Sequence, residues 1–203
     1  MTQPGRIALV DYGAGNLRSV ENALRHVGAD VVVTHDPDAV RGADRVVVPG
    51  QGSMPECAEA MRRSGVADAL LEAIRAGTPV LGICVGLQIL FDEGEEAGGS
   101  RGLGLLPGRI ARLPAGQKLP HIGWSPLRAT PSAPALFRPL DGEYAYFAHS
   151  YAAPADAPGV ALTTTHGVPY CAALAKDNLF AVQFHPEKSQ KVGLALLERF
   201  VKI

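Results

Sequence analysis

The first hundred residues alternate short apolar runs with longer amphipathic stretches. Arg6-Ile-Ala-Leu-Val10 is the first run. Beyond Asp11-Tyr-Gly-Ala-Gly-Asn16, the apolar residues Leu17, Val20, Leu24 and Val27 recur at spacings of three and four. That spacing lines one face of a helix, and Gly28 closes it as a C-terminal cap. Val31–Val33 and Arg45–Val48 predict two further strands, the second stopped by Pro49-Gly50. A long helical pattern runs from Pro55 to Ala76 and ends at Gly77. Thr78–Ile83 predicts the next strand, and Cys84 to Phe91 the start of the next helix. Fully apolar strands separated by helices predict a parallel sheet covered on both faces. With right-handed crossovers this is an α/β fold built on an open, mostly parallel, doubly wound sheet.

From Leu103 the rhythm changes. Turn pairs such as Pro107-Gly108 and Asp141-Gly142 separate short β-type runs, and proline is frequent up to Pro169. These predict antiparallel strands that extend or flank the same sheet. A final helix is expected over Gln190–Val201, with Val192, Leu194, Leu196, Leu197 and Phe200 on it. With no internal repeat, low-complexity tract or linker, residues 1–203 are expected to form one domain.

Composition narrows the class. Hydrophobic residues are 47% and charged residues 19%, enough apolar material for a core and no case for disorder. Lys plus Arg number 19 against 20 Asp plus Glu, so the basic face of a nucleic-acid binder is not expected. No apolar run approaches the ~20 residues that span a bilayer. Residues 1–5 lack the basic start of a secretory signal, so a cytoplasmic location with no membrane partner is expected. Three cysteines at wide spacings make neither a disulfide framework nor a paired metal site, and reduced thiols fit best. No metal or cofactor is expected.

Open α/β sheets bind ligands beyond the carboxyl ends of their strands. There, Gly82-Ile-Cys-Val-Gly86 places Cys84 between two glycines at a strand-to-helix junction, the pattern of a nucleophile elbow. The helix that starts there would favour thiolate. Taken alone, the segment also fits a buried cysteine in a tight turn. A thiolate nucleophile needs a base, and the base an orienting group. His26, His35, His121, His149 and His166 have ordinary explanations in helix ends, loops and strand margins. His185 follows the apolar strand Leu179–Phe184 and precedes Pro186, which frees it from regular structure. Glu187 is placed to accept the other imidazole N–H. A solvated strand end remains open for His185 taken by itself. Pro49-Gly-Gln-Gly52 could supply backbone N–H groups to an oxyanion, or be a plain glycine turn. Gly13-Ala-Gly-Asn16 matches no complete nucleotide-binding pattern, and Cys57 and Cys171 are expected to be packing residues.

Together, Pro-Gly-Gln-Gly at 49–52, Gly-Ile-Cys-Val-Gly-Leu-Gln at 82–88 and Gln-Phe-His-Pro-Glu-Lys-Ser at 183–189 resemble the class I (triad) glutamine amidotransferases, in order and spacing. Within that family, four segments resemble the glutaminase subunits of imidazole glycerol phosphate synthases of histidine biosynthesis. They are 11–16, Pro120-His-Ile-Gly-Trp124, Tyr146-Phe-Ala-His-Ser-Tyr151 and 185–189. The resemblance implies a flavodoxin-like sheet, Cys84 as nucleophile, His185 as general base and acid, and Glu187 as its orienter. It implies Gly50, Gly52 and Val85 at the oxyanion, and Gln88, Ser150 and Tyr151 around substrate glutamine. It also implies a 1:1 complex with a (β/α)8-barrel cyclase subunit that receives the ammonia. Asn16, Pro120, Ile122, Trp124, Tyr146 and Lys188 would face that partner. Two positions depart from the family pattern: Ser125, where asparagine is common, and Ala148, where a larger apolar residue is usual.

Other readings are a glutaminase subunit of a different synthase, such as that of pyridoxal phosphate, a self-sufficient glutamyl thiol hydrolase, and a non-enzymatic scaffold. The Gly-Trp and His-Ser-Tyr segments speak against the first. The intact Cys84, His185 and Glu187 speak against the last. A chain of 203 residues suffices for a glutaminase domain without an acceptor site, so half of an enzyme is expected.

Overall fold

In a computed structural model the described residues are 5–13 and 16–203. Residues 1–4, Ala14 and Gly15 lie outside them, and with them part of the 11–16 segment and of the Gly13–Asn16 loop. Strand β1 (Arg6–Val10) leads through helix α1 (Leu17–His26) to β2 (Asp30–Thr34). A short α2 (Pro37–Arg41) returns the chain to β3 (Arg45–Val48), and α3 (Met54–Arg63) with α4 (Val66–Arg75) leads to β4 (Val80–Ile83). α1 buries Val20 and Leu24 as its periodicity requires, and Gly28, at φ +85°, lies just past its C-terminal cap.

One turn of helix, α5 (Val85–Gln88), precedes β5 (Phe91–Gly94), β6 (Ser100–Arg101) and β7 (Leu106–Arg112). Then come β8 (His121–Pro126), β9 (Arg128–Ala129), β10 (Tyr144–His149) and β11 (Tyr151–Ala152). β12 (Val160–His166), β13 (Val168–Lys176), β14 (Leu179–Val182) and α6 (Gln190–Val201) complete the order.

The main sheet has eight strands in the order β2-β1-β3-β4-β14-β13-β12-β9. β2, β1, β3, β4 and β14 are mutually parallel, and β13, β12 and β9 add on antiparallel. The step from β1 to β2 runs one way across the sheet and the step from β2 to β3 the other. Right-handed crossovers therefore put α1 and α2 on opposite faces. α6 packs with α1, while α2 and α3 pack with α4, giving a layer on each side. The topological switch point lies between β1 and β3, so the loops after those strands open the crevice where such sheets bind ligands. Buried residues from Ile7 to Val201 form one continuous core.

The structure departs from the sequence expectation in five places, one being that the helix expected from Cys84 to Phe91 is a single turn, α5, with β5 starting at Phe91. The long helical pattern is two helices, broken at Ser64-Gly65, where Gly65 takes φ +74°. The periodicity persists across the break because both halves bury the same layer. α2 was not anticipated: five residues are too few to show a period, though Asp36 caps it and Pro37 opens it. Only part of the second half extends the main sheet. β11, β7, β5 and β6 make a separate four-stranded sheet, and β8 and β10 an antiparallel pair. Finally, β2 is not fully covered: it is the edge strand, and Val32 and Val33 are exposed.

A Cβ at Gly65 would only touch Pro37 at 3.6 Å, an ordinary contact, so the glycine is required by its backbone and not by space. Gly65→Ala is expected to cost about 1–2 kcal/mol, the strain of a left-handed residue with a side chain. An unchanged midpoint in chemical denaturation would show that the break tolerates any residue.

Candidate active site

Cys84 sits between β4 and α5 with φ 56° and ψ −109°, a conformation that costs a residue with a side chain roughly 1–3 kcal/mol. The surroundings hold it there. Its N–H donates to the Val182 carbonyl on β14 at 2.8 Å, and its carbonyl accepts from Leu87 at 2.9 Å. The flanking glycines are demanded by contact. A Cβ on Gly86 would lie 2.1 Å from the Val48 carbonyl oxygen, and one on Gly82 would lie 2.6 Å from the Gly86 carbonyl oxygen. A Cβ on Gly50 would stand 2.4 Å from the Gly86 nitrogen. The end of β3 and the elbow after β4 thus pack backbone on backbone. α5 is a single turn, so the dipole expected at Cys84 is that of one turn, with the Val85 and Gly86 N–H groups directed to no backbone acceptor among the described residues.

His185 begins the turn after β14, one position beyond Phe184. Its Nδ1 lies 2.9 Å from Glu187 Oε1, whose side chain is only 1% exposed. The remaining nitrogen, Nε2, is left for Cys84. Burial opposes the imidazolium, but the Cys84 sulfur and the Glu187 carboxylate outweigh it and lift His185 from 6.5 to about 9. The main chain is fixed as firmly: the His185 N–H donates to the Tyr146 carbonyl at 2.9 Å. Ser189, fully buried, donates its hydroxyl to the His185 carbonyl at 2.6 Å and accepts the Tyr146 N–H at 3.0 Å.

These residues border a cavity of about 270 Å³, a size for a small metabolite and not a polymer. Cys84, His185, Gly52, Val85, Gln88, Ser150 and Tyr151 all line it, as do Pro120 and Lys188. Gly50 does not; it is buried beneath, against Val85 and Gly86. Gln88 is buried and donates its amide to the Tyr151 carbonyl at 2.8 Å and to Gln183 Oε1 at 3.2 Å. Among the described residues no cluster of side chains is suited to a metal ion, and no helix is long and apolar enough to cross a membrane.

Of the expected partner-facing residues, Ile122 and Trp124 stand 62% and 44% exposed on β8. Tyr146 pairs with Trp124 across β10 with its ring at 6.0 Å, and Ala148 pairs with Ile122. Asn16 is the half-buried N-cap residue of α1, making no side-chain cap bond. Ser125 points the other way: it is buried, 3.0 Å from His121. The two departures from the family pattern therefore fall on opposite faces of the β8–β10 pair.

Several site residues carried no sequence signal of their own. Glu96 supplies the one carboxylate in the cavity lining, and only the fold brings it there, with Oε2 accepting the Met54 N–H at 2.8 Å. The Tyr12 hydroxyl donates to the Pro49 carbonyl, and the Cys57 thiol to the Gln51 carbonyl at 3.4 Å, so both pin the glycine loop. Cys57 is more than packing, whereas Cys171 is fully buried and its thiol is pushed up to about 12 by burial. His149, passed over as a strand-margin histidine, lines the cavity.

The family model for glutamine amidotransferase class-I matches residues 8–203. The chain belongs to that family. It is 48% identical to the imidazole glycerol phosphate synthase subunit HisH of Nitrosomonas europaea over 97% of both chains. The HisH subunits of Geobacter sulfurreducens and Methanothermobacter thermautotrophicus are 44% and 45% identical, with 96% and 97% of this chain covered and 97% and 98% of theirs. Among solved structures, a glutamine amidotransferase covers 97% of this chain and 99% of its own at TM-score 0.75 and 18% identity. A chain of the PurLQS structure from Thermotoga maritima also reaches TM-score 0.75, at 20% identity and 97% coverage of both. These two likenesses establish the amidotransferase fold.

For this class-I amidotransferase, the raised His185 pKa has a signed consequence. The stabilisation that comes with the charged imidazole is complete below pH 6.5 and is lost as pH rises through about 9. Cys84→Ala removes a group that raises it, so His185 should titrate lower in that variant. Imidazole resonances followed through an NMR pH titration check this, and an unmoved His185 pKa would show that Glu187 alone sets it. Gly86→Ala should cost about 3 kcal/mol through the clash with Val48, measured as a lowered denaturation midpoint.

Proposed function

We propose that this chain is the glutaminase subunit of an imidazole glycerol phosphate synthase, working as a single domain over residues 1–203. The observation that carries the reading is the meeting of Cys84 and His185 on one small cavity, with buried Glu187 on the other nitrogen of His185. Glutamine enters with its side-chain amide beside Cys84. The thiolate attacks the amide carbon, and the carbonyl oxygen becomes an oxyanion facing the Val85 N–H and the loop around Gly52. One such donor contributes about 3–4 kcal/mol to the transition state. Gly50 serves this oxyanion hole indirectly, by letting the loop approach the elbow. Protonated His185 gives its proton to the amide nitrogen, the C–N bond breaks, and ammonia departs from a glutamyl thioester. Neutral His185 then takes a proton from water, the resulting hydroxide adds to the thioester, and glutamate leaves as the Cys84 sulfur is freed.

Specificity follows from the same lining. Glu96 faces the substrate's α-ammonium, while Gln88, Ser150 and Tyr151 frame its backbone end. Neither metal nor cofactor has a role in these steps. The ammonia passes to a (β/α)8-barrel cyclase subunit in a 1:1 cytoplasmic complex, which makes imidazole glycerol phosphate and an aminoimidazole carboxamide ribotide. The docking face is the row of exposed Ile122 and Trp124 with half-buried Tyr146, beside the cavity rim formed by Pro120 and Lys188. Aromatic anchors of this kind dominate binding energies at interfaces. The pocket mouth and the docking face are continuous, as a route for ammonia requires.

Cys84→Ala is expected to abolish glutamine hydrolysis while leaving the fold and partner binding intact. Glu187→Gln should lower kcat by about 10²-fold or more, because the imidazole loses its charged orienting partner. Turnover retained in Cys84→Ala, measured as glutamate release, would sink the thioester mechanism. Mixing with the cyclase subunit and its nucleotide ligand tests the assignment itself. Glutaminase activity should rise and a 1:1 complex should appear in sedimentation. A fully active chain that ignores the cyclase would instead be a self-sufficient hydrolase.

A further inference from the structure

Behind the cavity lies a run of buried polar groups that the triad does not use. His149 Nδ1 is 2.9 Å from the Tyr151 carbonyl, and His149 Nε2 is 3.1 Å from the Tyr170 hydroxyl. Tyr170 also lies 2.8 Å from His121 Nδ1, and His121 Nε2 lies 3.0 Å from the Ser125 hydroxyl. All four side chains are buried.

Donor chemistry orients the whole run. A carbonyl only accepts, so His149 carries its proton on Nδ1. A neutral His149 then accepts at Nε2, and the one hydroxyl proton of Tyr170 is used there. Tyr170 can only accept from His121, which therefore also carries its proton on Nδ1 and accepts at Nε2 from Ser125. Burial holds His121 down to about 4 and His149 down to about 3, so both are neutral in the working range. Besides burial, His166 acts on His121, and His121, His185 and His166 act on His149, all disfavouring a further positive charge, while Cys84 and Cys171 face Tyr170. Stacking with Phe147 at 5.2 Å and with His166 at 4.1 Å fixes the His121 ring.

At the far end, the Tyr151 carbonyl also receives the Gln88 amide at 2.8 Å. Two donors fill its two lone pairs, so this carbonyl is not offered to a substrate; its peptide is locked in place from inside the protein. We infer that the relay Ser125–His121–Tyr170–His149 is a positioning device that sets the Tyr151–Ala152 peptide, and with it the Ser150 and Tyr151 residues that line the cavity, and so the fit of the substrate. The inference rests on the glutaminase reading for the identity of that substrate. Nothing in it touches the reacting atoms, so it acts on binding and not on the chemical step.

The test has two arms. In nitrogen-15 spectra of the full chain at neutral pH, His149 and His121 should both appear as neutral Nδ1–H tautomers. Tyr170→Phe should abolish that fixed assignment at both rings. In the complex with the cyclase subunit, Tyr170→Phe should raise KM for glutamine about tenfold, with kcat changed far less. A proton on Nε2 of His149 in the unaltered protein overturns the proposal, as does an unchanged KM in Tyr170→Phe. If Tyr170→Phe fails to fold, His149→Asn and His149→Ala decide. Asparagine retains an N–H for the Tyr151 carbonyl, so its KM should rise less than that of alanine, and equal KM values overturn the proposal. Absence of turnover by the unaltered complex would count against the glutaminase reading, while the tautomers judge the relay by themselves.

Discussion

The candidate site depends on one backbone contact, the approach of the elbow after β4 to the end of β3. Gly86 lies against the Val48 carbonyl and Gly50 against the Gly86 nitrogen, both closer than any side chain would allow. That contact seats the turn in which Cys84 takes a positive φ, and it brings the Pro49–Gly52 loop beside the first free N–H groups of α5. Cys84 and the glycine loop are therefore placed by one constraint. The strain at Cys84 is offset by a backbone bond to β14, the strand that leads to His185, so the carboxyl ends of two adjacent central strands position Cys84 and His185.

Around this contact the loops are tied by side chains from distant elements. Tyr12, after β1, holds the Pro49 carbonyl of the glycine loop from across the switch point, and Cys57, on α3, holds the Gln51 carbonyl. Ser189 ties the His185 segment to Tyr146 on β10. Such cross-ties are what a site on loops needs, because a loop alone does not hold donors within the tolerance that catalysis requires.

Much of this was legible in the sequence, for physical reasons that differ by element. β1, β3 and α6 were bounded correctly because apolar runs and a clear 3.6-residue period meet strong stop signals at their ends. The elbow at Cys84 and the placement of His185 beside Glu187 were legible because a strained elbow and a strand-ending His-Pro both leave marks on neighbouring residues. The break at Gly65 was not, since one glycine interrupts a period without ending it. Nor were Glu96, Tyr12, Cys57 and His149. Glu96, Tyr12 and His149 are placed by contacts across 42, 37 and 21 residues, and nothing local to any of the four distinguishes a site residue from a packed one. The separation of β5, β6, β7 and β11 into their own sheet was hidden for a related reason: strand pattern gives the face of a strand but not its neighbour.

The β8–β10 pair shows how one short ribbon can serve two surfaces. Alternation sends Ile122, Trp124 and Tyr146 outward and His121, Ser125, Phe147 and His149 inward. The outward row is apolar, with Ile122 and Trp124 exposed and Tyr146 half-buried; of the buried inward row, His121, Ser125 and His149 are hydrogen-bonded in one run through Tyr170. A two-stranded ribbon is marginal by itself, and here the inward histidines and Phe147 hold it to β13 through Tyr170. Anything that docks on the outer row presses on a ribbon whose inner row is bonded to the cavity wall. Ala148 leaves a small side chain on the outer row, next to the cavity, while Ser125 ends the inner relay. The two positions therefore sit in different surroundings, Ala148 on the outer row beside the cavity and Ser125 in the buried hydrogen-bonded run.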